Sequence, residues 1–244
     1  MATKMTRIGY QMRFYRALRA ANRRYSPSHD MAAQPFPALI QLQTINACNA
    51  SCVMCPYPLF KKEFPRGRMD DALFEKIIAE IAERPEVHTF VPMLQNEPFL
   101  DKKLFDRIAR FKQVTRGRVE VELVTNGAFL TAEAIERIRD VELDVLDISL
   151  DAVSKTTYER IRIGLDFDEV IAGVERVIDA QLPRTSVFVR LVKLRDNAAE
   201  VHEFATRWRA RGIPVFIYTA NNRVGALPEF DEKLRADETA SVDL

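Results

Sequence analysis

The chain is organised around residues 46–58, which read Asn-Ala-Cys-Asn-Ala-Ser-Cys-Val-Met-Cys-Pro-Tyr-Pro. Cys48, Cys52 and Cys55 have the spacing C-x3-C-x2-C, and they are the only three cysteines in 244 residues. Three thiols cannot form a closed disulfide set, because one is always left over. Thiolates are the usual ligands of iron–sulfur clusters, normally four for a cubane. The trio can therefore hold three corners of a [4Fe–4S] cluster and leave the fourth iron open.

The spacing of these cysteines, just after a predicted first strand from Leu39 to Thr44, resembles the radical S-adenosylmethionine (SAM) enzymes. The resemblance implies that the open iron chelates the amino and carboxylate groups of SAM. It also implies that an electron from the cluster cleaves the sulfonium to methionine and a 5′-deoxyadenosyl radical, which abstracts hydrogen from a substrate. In such an enzyme the cofactor carries the chemistry, and the protein supplies binding and orientation.

Two other interpretations of the cysteine trio stay open at this point. A three-cysteine zinc site needs a fourth ligand, and the residues near the cysteines include no further Cys or His. The thiols could also be buried structural groups, since free cysteine packs as a small hydrophobe. A non-catalytic iron–sulfur or zinc-binding domain is therefore the alternative to an enzyme that modifies a peptide or a small molecule, for example as an oxidoreductase.

Length and composition limit the class of protein. With 244 residues, 47% hydrophobic and 29% charged, the chain suits one globular α/β domain. Its formal net charge of +1 gives no argument for nucleic acid as a partner. No apolar run approaches the roughly 20 residues that span a bilayer, and we see no secretory signal at the start. Clustered thiols without others fit a reducing compartment, so we predict a cytoplasmic protein with no transmembrane segment.

Strand and helix patterns alternate from Ala38 onward, which indicates βαβ units and a parallel sheet. Strands are predicted at 38–44, 87–94, 119–124, 143–150, 186–194 and 215–220. Helices are predicted at 70–84, 101–115, 131–140, 167–181 and 197–212. The six repeats predict an α/β fold, a partial (β/α)6 TIM-like barrel, which the resemblance also implies. Pro92 removes a hydrogen-bond donor from the second strand, so we expect a bulge or an edge position there.

Three segments are predicted along the chain. Residues 1–36 form a basic N-terminal arm and linker with an amphipathic helix, because no acidic residue precedes Asp30 and apolar residues recur at helical spacing. Residues 37–222 form the radical SAM core, and residues 223–244 form a loose C-terminal tail of mostly charged or small residues. Asn222-Arg223-Val224-Gly225 resembles the stretch that leads, in SPASM/twitch-type members, into a cysteine-rich region. No cysteine follows here, so a single cluster is expected, and six strands leave one flank open with apolar surface exposed.

Polar residues follow the second strand, and the working groups of βα barrels lie at such carboxyl ends. Gln95-Asn96-Glu97-Pro98 resembles the family's Gly-Gly-Glu-Pro element, whose backbone receives the SAM amino group. A carboxylate at Glu97 also suits an ammonium centre, through charge-assisted hydrogen bonds. Gln95 and Asn96 replace the two glycines of the family's pattern, although Asn tolerates unusual backbone dihedrals better than most residues.

The next strand ends supply further candidates. Thr125-Asn126-Gly127 follows the third strand. Alternation along the fourth strand puts Asp147, Ser149 and Asp151 on one face, which we expect to look into the barrel. Ser149-Leu150-Asp151 is similar to a family signature that lies near the ribose and the methionine end of SAM.

Two residues further along complete the predicted SAM site. Arg162 matches a downstream arginine that pairs with the SAM carboxylate in relatives, a task that suits the guanidinium fork. The alternative for Arg162 is a surface charge at a helix end. Val192, on the fifth strand, is expected to pack on adenine or, as most strand valines do, simply in the core.

The resemblance thus implies two sets of site residues and a set of partners. The cluster ligands are Cys48, Cys52 and Cys55, and the SAM-binding residues are Gln95, Asn96, Glu97, Asn126, Ser149, Asp151, Arg162 and Val192. No catalytic residue is assigned. The substrate is a small molecule, such as a sugar or an aminocyclitol, or a peptide. An external electron donor of the flavodoxin or ferredoxin type is expected as a protein partner.

Overall fold

The structure is a computed structural model that describes residues 36–63, 66–227 and 229–236. Six parallel strands form one sheet in the order β1-β2-β3-β4-β5-β6. The strands are β1 (Leu39–Gln41), β2 (Thr89–Val91), β3 (Glu120–Thr125), β4 (Val145–Ser149), β5 (Ser186–Lys193) and β6 (Val215–Thr219). Each strand pairs with the next one along the chain, so the sheet curls in one direction into a half-barrel. The predicted α/β partial barrel is confirmed.

Helices connect the strands and cover the outside of the sheet. They are α1 (Tyr57–Phe60), α2 (Asp71–Ala82), α3 (Leu104–Val114), α4 (Ala132–Asp140), α5 (Lys155–Ile161), α6 (Phe167–Asp179) and α7 (Val201–Ala210). Short 3-10 segments cover Pro98–Leu100 and Arg195–Glu200, and a π-helical turn covers Phe230–Leu234. In α2 the apolar stripe of Phe74, Ile78 and Ile81 is buried against the sheet, as its spacing predicts.

The first two strands are shorter than predicted, and each has a local reason. The Leu42 amide still donates to the Val91 carbonyl at 2.9 Å, and the chain then leaves the sheet, with the Thr44 carbonyl accepting a hydrogen bond from the Met69 amide at 2.9 Å. β2 ends at Val91, directly before Pro92, whose nitrogen has no hydrogen to donate to a ladder. Pro92 therefore lies outside the strand, and β2 is an interior strand between β1 and β3. The expected bulge or edge position was wrong.

The hydrophobic periodicity of the sequence did not predict helix α5, because this helix has only seven residues. Its start nevertheless carries a signal, since the Ser154 hydroxyl accepts a hydrogen bond from the Thr157 amide. The side chain of Ser154 is in turn held by Glu200, whose carboxylate lies 2.6 Å from the hydroxyl. This short helix matters for the site because it ends just before Arg162.

The half-barrel stays open on one side within the described residues, where β1 and β6 form the two edges of the sheet. Leu39 on β1 and Tyr218 on β6 are about half exposed, as expected for an open flank with apolar surface. The predicted N-terminal arm lies outside the described residues, apart from Phe36. The described part of the tail buries two apolar side chains, Leu227 and Phe230, although its composition predicted a loose tail.

Candidate active site

The cysteine loop follows β1 and crosses the carboxyl end of the sheet. Its backbone is fixed to the end of α5, since the Ser51 amide donates to the Ile163 carbonyl at 2.8 Å and the Val53 amide donates to the Ile161 carbonyl at 3.0 Å. A third bond joins it to the β2 loop, where the Glu97 amide donates to a loop carbonyl at 3.0 Å. The loop is therefore held in place by ordinary backbone hydrogen bonds, independently of any metal.

A glycine permits this close contact between the cysteine loop and the end of α5. Gly164 has a φ of +93°, in the left-handed region that side-chain-bearing residues rarely adopt. A Cβ at this position would lie 3.3 Å from the Asn49 carbonyl oxygen. Both the backbone conformation and the available space therefore favour glycine here.

All three cysteines are free thiols, with Cys52 buried and the other two half-buried. Burial raises the pKa of Cys48 to about 11, against the opposing effect of a hydrogen bond from the Ala50 amide. Burial also raises the pKa of Cys52 and of Cys55, and the positive charge of Arg162 opposes it at both. Iron bound to these sulfurs would instead lower the pKa of the thiols, because a thiol that coordinates a metal is deprotonated.

A buried ion pair lies directly beside the cysteines. The Nε and Nη2 atoms of Arg162 lie 2.7 and 2.5 Å from Oδ2 of Asp151, and Nη1 lies 3.8 Å from the sulfur of Cys52. Asp151 is fully buried and Arg162 is 8% exposed. Arg162 is therefore not a surface charge at a helix end, and its guanidinium spans the gap between the cysteine loop and the end of β4.

Asp151 connects β4 to β5 as well as to Arg162. Its second carboxylate oxygen accepts a hydrogen bond from the Val192 amide at 2.6 Å, and its carbonyl accepts one from Nδ2 of Asn197 at 2.7 Å. The residue has a φ of 64°, which Asp and Asn adopt more readily than most residues. Asn197 is completely buried, and in the sequence it looked only like a helix-start residue.

Glu97 joins the ends of β2 and β3. One oxygen of its carboxylate accepts from the Thr125 hydroxyl at 2.8 Å and from the Phe99 amide at 3.2 Å, and the other accepts from the Asn126 amide at 2.8 Å. Burial raises the pKa of Glu97 to about 7, although these hydrogen bonds oppose the shift. The carboxylate is thus occupied by protein donors. Sequence reasoning missed Thr125 as a partner.

Asn126 extends this connection to the cysteine loop. Its Nδ2 donates to Oδ1 of Asn49 at 2.8 Å, and its Oδ1 accepts from the Ala128 amide at 3.0 Å. The side chain is therefore held at both ends. Together with Glu97, it fixes the position of the cysteine loop relative to β3.

The other two residues of the β2 loop differ in their environment. The Gln95 side chain is exposed, while its amide donates to the Gln43 side chain at 3.1 Å. Asn96 is buried, and its Oδ1 accepts from the Leu94 amide at 3.1 Å. Its Nδ2 has no hydrogen-bond partner among the described residues. A buried donor without a partner is rare in native proteins and points to a ligand or an ordered water.

A second charged group lies deeper in the barrel interior, on strands β3 to β6. The Nε atom of Arg190 donates to Oδ1 of Asp147 at 2.8 Å, and its Nη2 lies 3.6 Å from the carboxylate of Glu122. The guanidinium also lies over the ring of Tyr218, 5.2 Å from its centroid. Burial and the negative charge of Asp147 raise the pKa of Glu122 to about 7, against the attraction of Arg190. We call these four residues the interior charged layer.

The interior charged layer is adjacent to the predicted SAM residues. Ser149 is buried at the end of β4, and it pairs in register with Arg190. Of the three residues that alternation placed on one face, Asp147 and Ser149 lie on β4, whereas Asp151 follows the strand at a φ of 64°. Nothing local in the sequence indicated that Glu122, Arg190 and Tyr218 would meet that face, because the four side chains come from four different strands.

The donor set of the site fits a [4Fe–4S] cluster with SAM. Three thiols are presented by one fixed loop, a buried guanidinium lies beside one of them, and Nδ2 of Asn96 has no partner within the described part of the chain. In the described ranges, no three His, Cys, Asp or Glu side chains converge on a single metal ion. A cubane places its thiolate ligands on separate irons, so they do not have to converge on one point. No described helix has the length and apolar character needed to cross a membrane.

Comparison with known proteins adds independent evidence. The family described as the radical SAM superfamily matches residues 42–207. A probable GTP 3',8-cyclase of Saccharolobus solfataricus is 31% identical over 170 residues, which cover 68% of this chain and 51% of that protein. A GTP 3',8-cyclase of Lactiplantibacillus plantarum is 27% identical over 167 residues, which cover 68% and 48%. The chain spans about half the length of the curated relatives it matches.

Solved structures share the fold at lower identity. Streptococcus suis SuiB bound to the precursor peptide SuiA has a TM-score of 0.66 and 14% identity, covering 87% of this chain and 46% of that chain. Native anSMEcpe with bound AdoMet and the Cp18Cys peptide has a TM-score of 0.60 and 17% identity, covering 75% and 50%. The family match spans more than half of the chain and contains the three cysteines together with the strand ends around them. The chain therefore belongs to the radical SAM superfamily, whose two cofactors are the [4Fe–4S] cluster and SAM expected from the cysteine trio.

Proposed function

We propose that this chain binds a [4Fe–4S] cluster through Cys48, Cys52 and Cys55 and cleaves SAM reductively. The observation that carries the proposal is one fixed loop that presents three thiols beside the buried guanidinium of Arg162. When bound, the cluster and SAM supply the radical that removes a hydrogen atom from an organic substrate. The single electron for each cleavage comes from an external donor of the flavodoxin or ferredoxin class.

Arg162 is the proposed partner of the SAM carboxylate. A guanidinium has five N–H donors, and Asp151 engages only those on Nε and Nη2. The remaining donor face, at Nη1, points toward Cys52. Asp151 therefore orients Arg162 and balances its charge. One Nη1 hydrogen is directed at the Cys52 sulfur, and the other is proposed to bind the carboxylate.

The β2 loop is the proposed site for the polar end of SAM. Asn96 supplies the buried Nδ2 donor that has no partner in the described part of the chain. Gln95 contributes its backbone, because its side chain is exposed. Glu97 acts by positioning, since protein donors occupy both of its carboxylate oxygens. Asn126 likewise holds the cysteine loop in register with β3.

The fourth and fifth strands complete the proposed SAM pocket. Ser149 ends β4 on the interior face, where its hydroxyl can serve the ribose or the methionine end of SAM. The Val192 amide donates a hydrogen bond to the Asp151 carboxylate, and the half-buried Val192 side chain offers an apolar surface for adenine. These two roles rest on the resemblance together with the positions of both residues at strand ends.

The interior charged layer is the proposed contact surface for the substrate. Its two carboxylates and one guanidinium favour a small molecule or peptide that brings hydroxyl or amine donors. The SPASM/twitch-type assignment and a cytoplasmic location remain part of this proposal. They are supported by the sequence around Asn222-Arg223-Val224-Gly225 and by three free, clustered thiols.

Anaerobic reconstitution with iron and sulfide tests the function. We expect about four irons per chain and a broad thiolate-to-iron absorption, and replacing any one cysteine by alanine should abolish both. The reduced protein should then convert SAM to 5′-deoxyadenosine and methionine, measured by chromatography. Binding of zinc alone would overturn the enzyme proposal, and a reproducible count near eight irons would overturn the single cluster.

A further inference from the structure

Glu122, in the middle of β3, has a carboxylate that accepts no hydrogen bond from any described residue. Nη2 of Arg190 lies 3.6 Å from its Oε1, which is beyond hydrogen-bond distance. The side chain is only 15% exposed, and alternation along β3 places it on the face opposite to the buried core residues Val121 and Leu123. Covering an ionised carboxylate without giving it a donor is costly, so the surroundings of Glu122 indicate which ligand it serves.

Arg190 does not compensate Glu122, because its guanidinium is engaged by Asp147. Nε donates to Oδ1 of Asp147 at 2.8 Å, and Nη2 contacts the second oxygen of the same carboxylate. The Asp147 side chain is 3% exposed, so this two-point pair is buried and complete. The two carboxylates and one guanidinium of the interior charged layer therefore leave one negative charge in excess, on Glu122.

The excess charge favours a cation over a neutral hydrogen-bond donor. Burial and the negative charges of Asp147 and Glu120 raise the pKa of Glu122 to about 7, against the attraction of Arg190. Near neutral pH a proton thus competes for the carboxylate while no ligand is bound. A hydroxyl would bring a donor without a charge, whereas an ammonium group brings three donors and the missing positive charge. Charge-assisted hydrogen bonds of this kind are roughly twice as strong as neutral ones.

The position of Glu122 suits a substrate that lies beside SAM. Glu122 precedes the end of β3, at Thr125, by three residues. Its neighbour Arg190 pairs in register with Ser149 and lies two residues before Val192 on the same face of β5. Ser149 and Val192 belong to the proposed SAM pocket. A group held at Glu122 therefore lies deeper in the half-barrel than this pocket and adjacent to it.

We propose that Glu122 binds a primary ammonium group of the substrate and thereby selects substrates that carry an amine. This inference rests on the proposed function and narrows its substrate class from hydroxyl or amine donors to primary amines. The lysine side chain of a peptide and the amino group of an amino sugar share this chemistry. Glu122 is a specificity-determining residue in this scheme, and the bound ammonium takes the place of the competing proton.

Binding to the reconstituted protein in the presence of SAM, measured by ligand-observed nuclear magnetic resonance at about pH 7.5, tests the inference with two matched pairs of probes. One pair is acetyl-lysine amide, acetylated at its α-amino group, and the corresponding norleucine compound, which lacks the ammonium. The other pair is glucosamine and glucose. We expect the amine of at least one pair to bind roughly 10- to 150-fold more tightly than its neutral counterpart, the range for one hydrogen bond to a charged group.

Replacements at position 122 show whether this carboxylate causes the preference. Glu122→Gln keeps the size of the side chain without its charge, so it should bind the amine about as weakly as the neutral probe. Glu133→Gln, which changes an exposed carboxylate in the first turn of α4, is the matched control and should keep the preference. Glu122→Asp retains the charge and should also keep it, which makes the test decisive even if Glu122→Gln folds poorly.

Two results would overturn the inference: a parent protein that discriminates within neither pair of probes, or a preference that is lost in Glu122→Asp or survives in Glu122→Gln. A preference confined to the lysine pair identifies a peptide side chain as the source of the ammonium, and one confined to the glucosamine pair identifies a small molecule. Failure of the proposed function looks different, because the parent protein would then show no [4Fe–4S] signal or no cleavage of SAM, whereas probe binding requires no turnover.

Discussion

Asp151 and Arg162 form a buried ion pair that lies beside a cysteine. Their closest approach is 2.5 Å, and the same guanidinium lies 3.8 Å from the Cys52 sulfur. Breaking a buried pair by neutralising one partner leaves an uncompensated charge. The pair therefore links the stability of the fold to the electrostatics of the cysteine site, and the two residues can be tested separately.

Replacing Arg162 should weaken SAM binding without removing the cluster ligands. A hydrogen bond to a charged group contributes about 1.5–3 kcal/mol, so Arg162→Ala should lower SAM affinity roughly 10- to 150-fold in a binding titration of the reconstituted protein. Arg160→Ala is the matched control, because Arg160 is exposed and pairs with Asp196 at 2.9 Å. Equal SAM affinity in the two variants would show that Arg162 does not bind the carboxylate.

Neutralising Asp151 should destabilise the chain. Asp151→Asn keeps a residue type that tolerates the φ of 64°, so the effect isolates the lost charge. We expect a loss of about 3–5 kcal/mol in the free energy of unfolding, measured by urea denaturation. The control is Asp196→Asn in the exposed pair with Arg160, where the loss should not exceed about 1 kcal/mol. Similar losses in both variants would contradict the buried-pair argument.

A methyl group at position 164 should disturb the cysteine loop. Gly164→Ala and Gly212→Ala both place a side chain at positive φ, which costs about 1–2 kcal/mol in each case. Only at Gly164 would the new Cβ also approach a cysteine-loop carbonyl, at 3.3 Å, whereas Gly212 has nothing within 4 Å. We expect both variants to lose stability and Gly164→Ala alone to bind less iron after reconstitution. The steric argument fails if both variants retain full iron content.

Glu122 should make stability depend on pH in a defined direction. Its pKa in the folded chain is about 7, above the ordinary 4.5, so folding favours the protonated carboxyl. The stabilisation is complete below about pH 4.5 and is lost as the pH rises through about 7. At 1.36 kcal/mol per pKa unit the loss approaches roughly 3 kcal/mol by pH 8.

Glu122→Gln imitates the protonated side chain and is the matched variant for this test. It should equal the parent chain near pH 4.5 and be more stable at pH 8, because it cannot acquire the buried charge. Urea denaturation of both chains across this range, without reconstitution, measures the difference. Parallel curves would show that Glu122 does not titrate in this interval.

More of the fold than of the site could be predicted from the sequence. Alternation placed β3, β4 and β5 because these strands are long enough to show a period. The strands predicted for β1 and β2 are too long, because the chain leaves the sheet before Thr44 and at Pro92. Helix α5 was not predicted, because it is too short to show an apolar stripe. Local spacing contains no information on where a short segment leaves the sheet.

A motif points to single candidate residues and not to the contacts that they make. Glu97 and Asp151 lie in motifs that resemble family elements, yet most of their hydrogen-bond partners do not. Asn197 donates a hydrogen bond to the Asp151 carbonyl, 46 residues away in the sequence, and Arg190 donates to the Asp147 carboxylate, 43 residues away. Such contacts depend on which strands become neighbours, and only the folded sheet shows them.

The order of the strands has a consequence for how the iron site matures. The sheet follows the chain from β1 to β6, so the cysteine loop is synthesised early, and Cys52 precedes Arg162 by 110 residues. A ribosome-bound chain therefore presents its thiols before it contains the guanidinium and the helix end that hold the loop. Cluster insertion into the native geometry therefore has to wait until the segment that contains Arg162 has joined the fold.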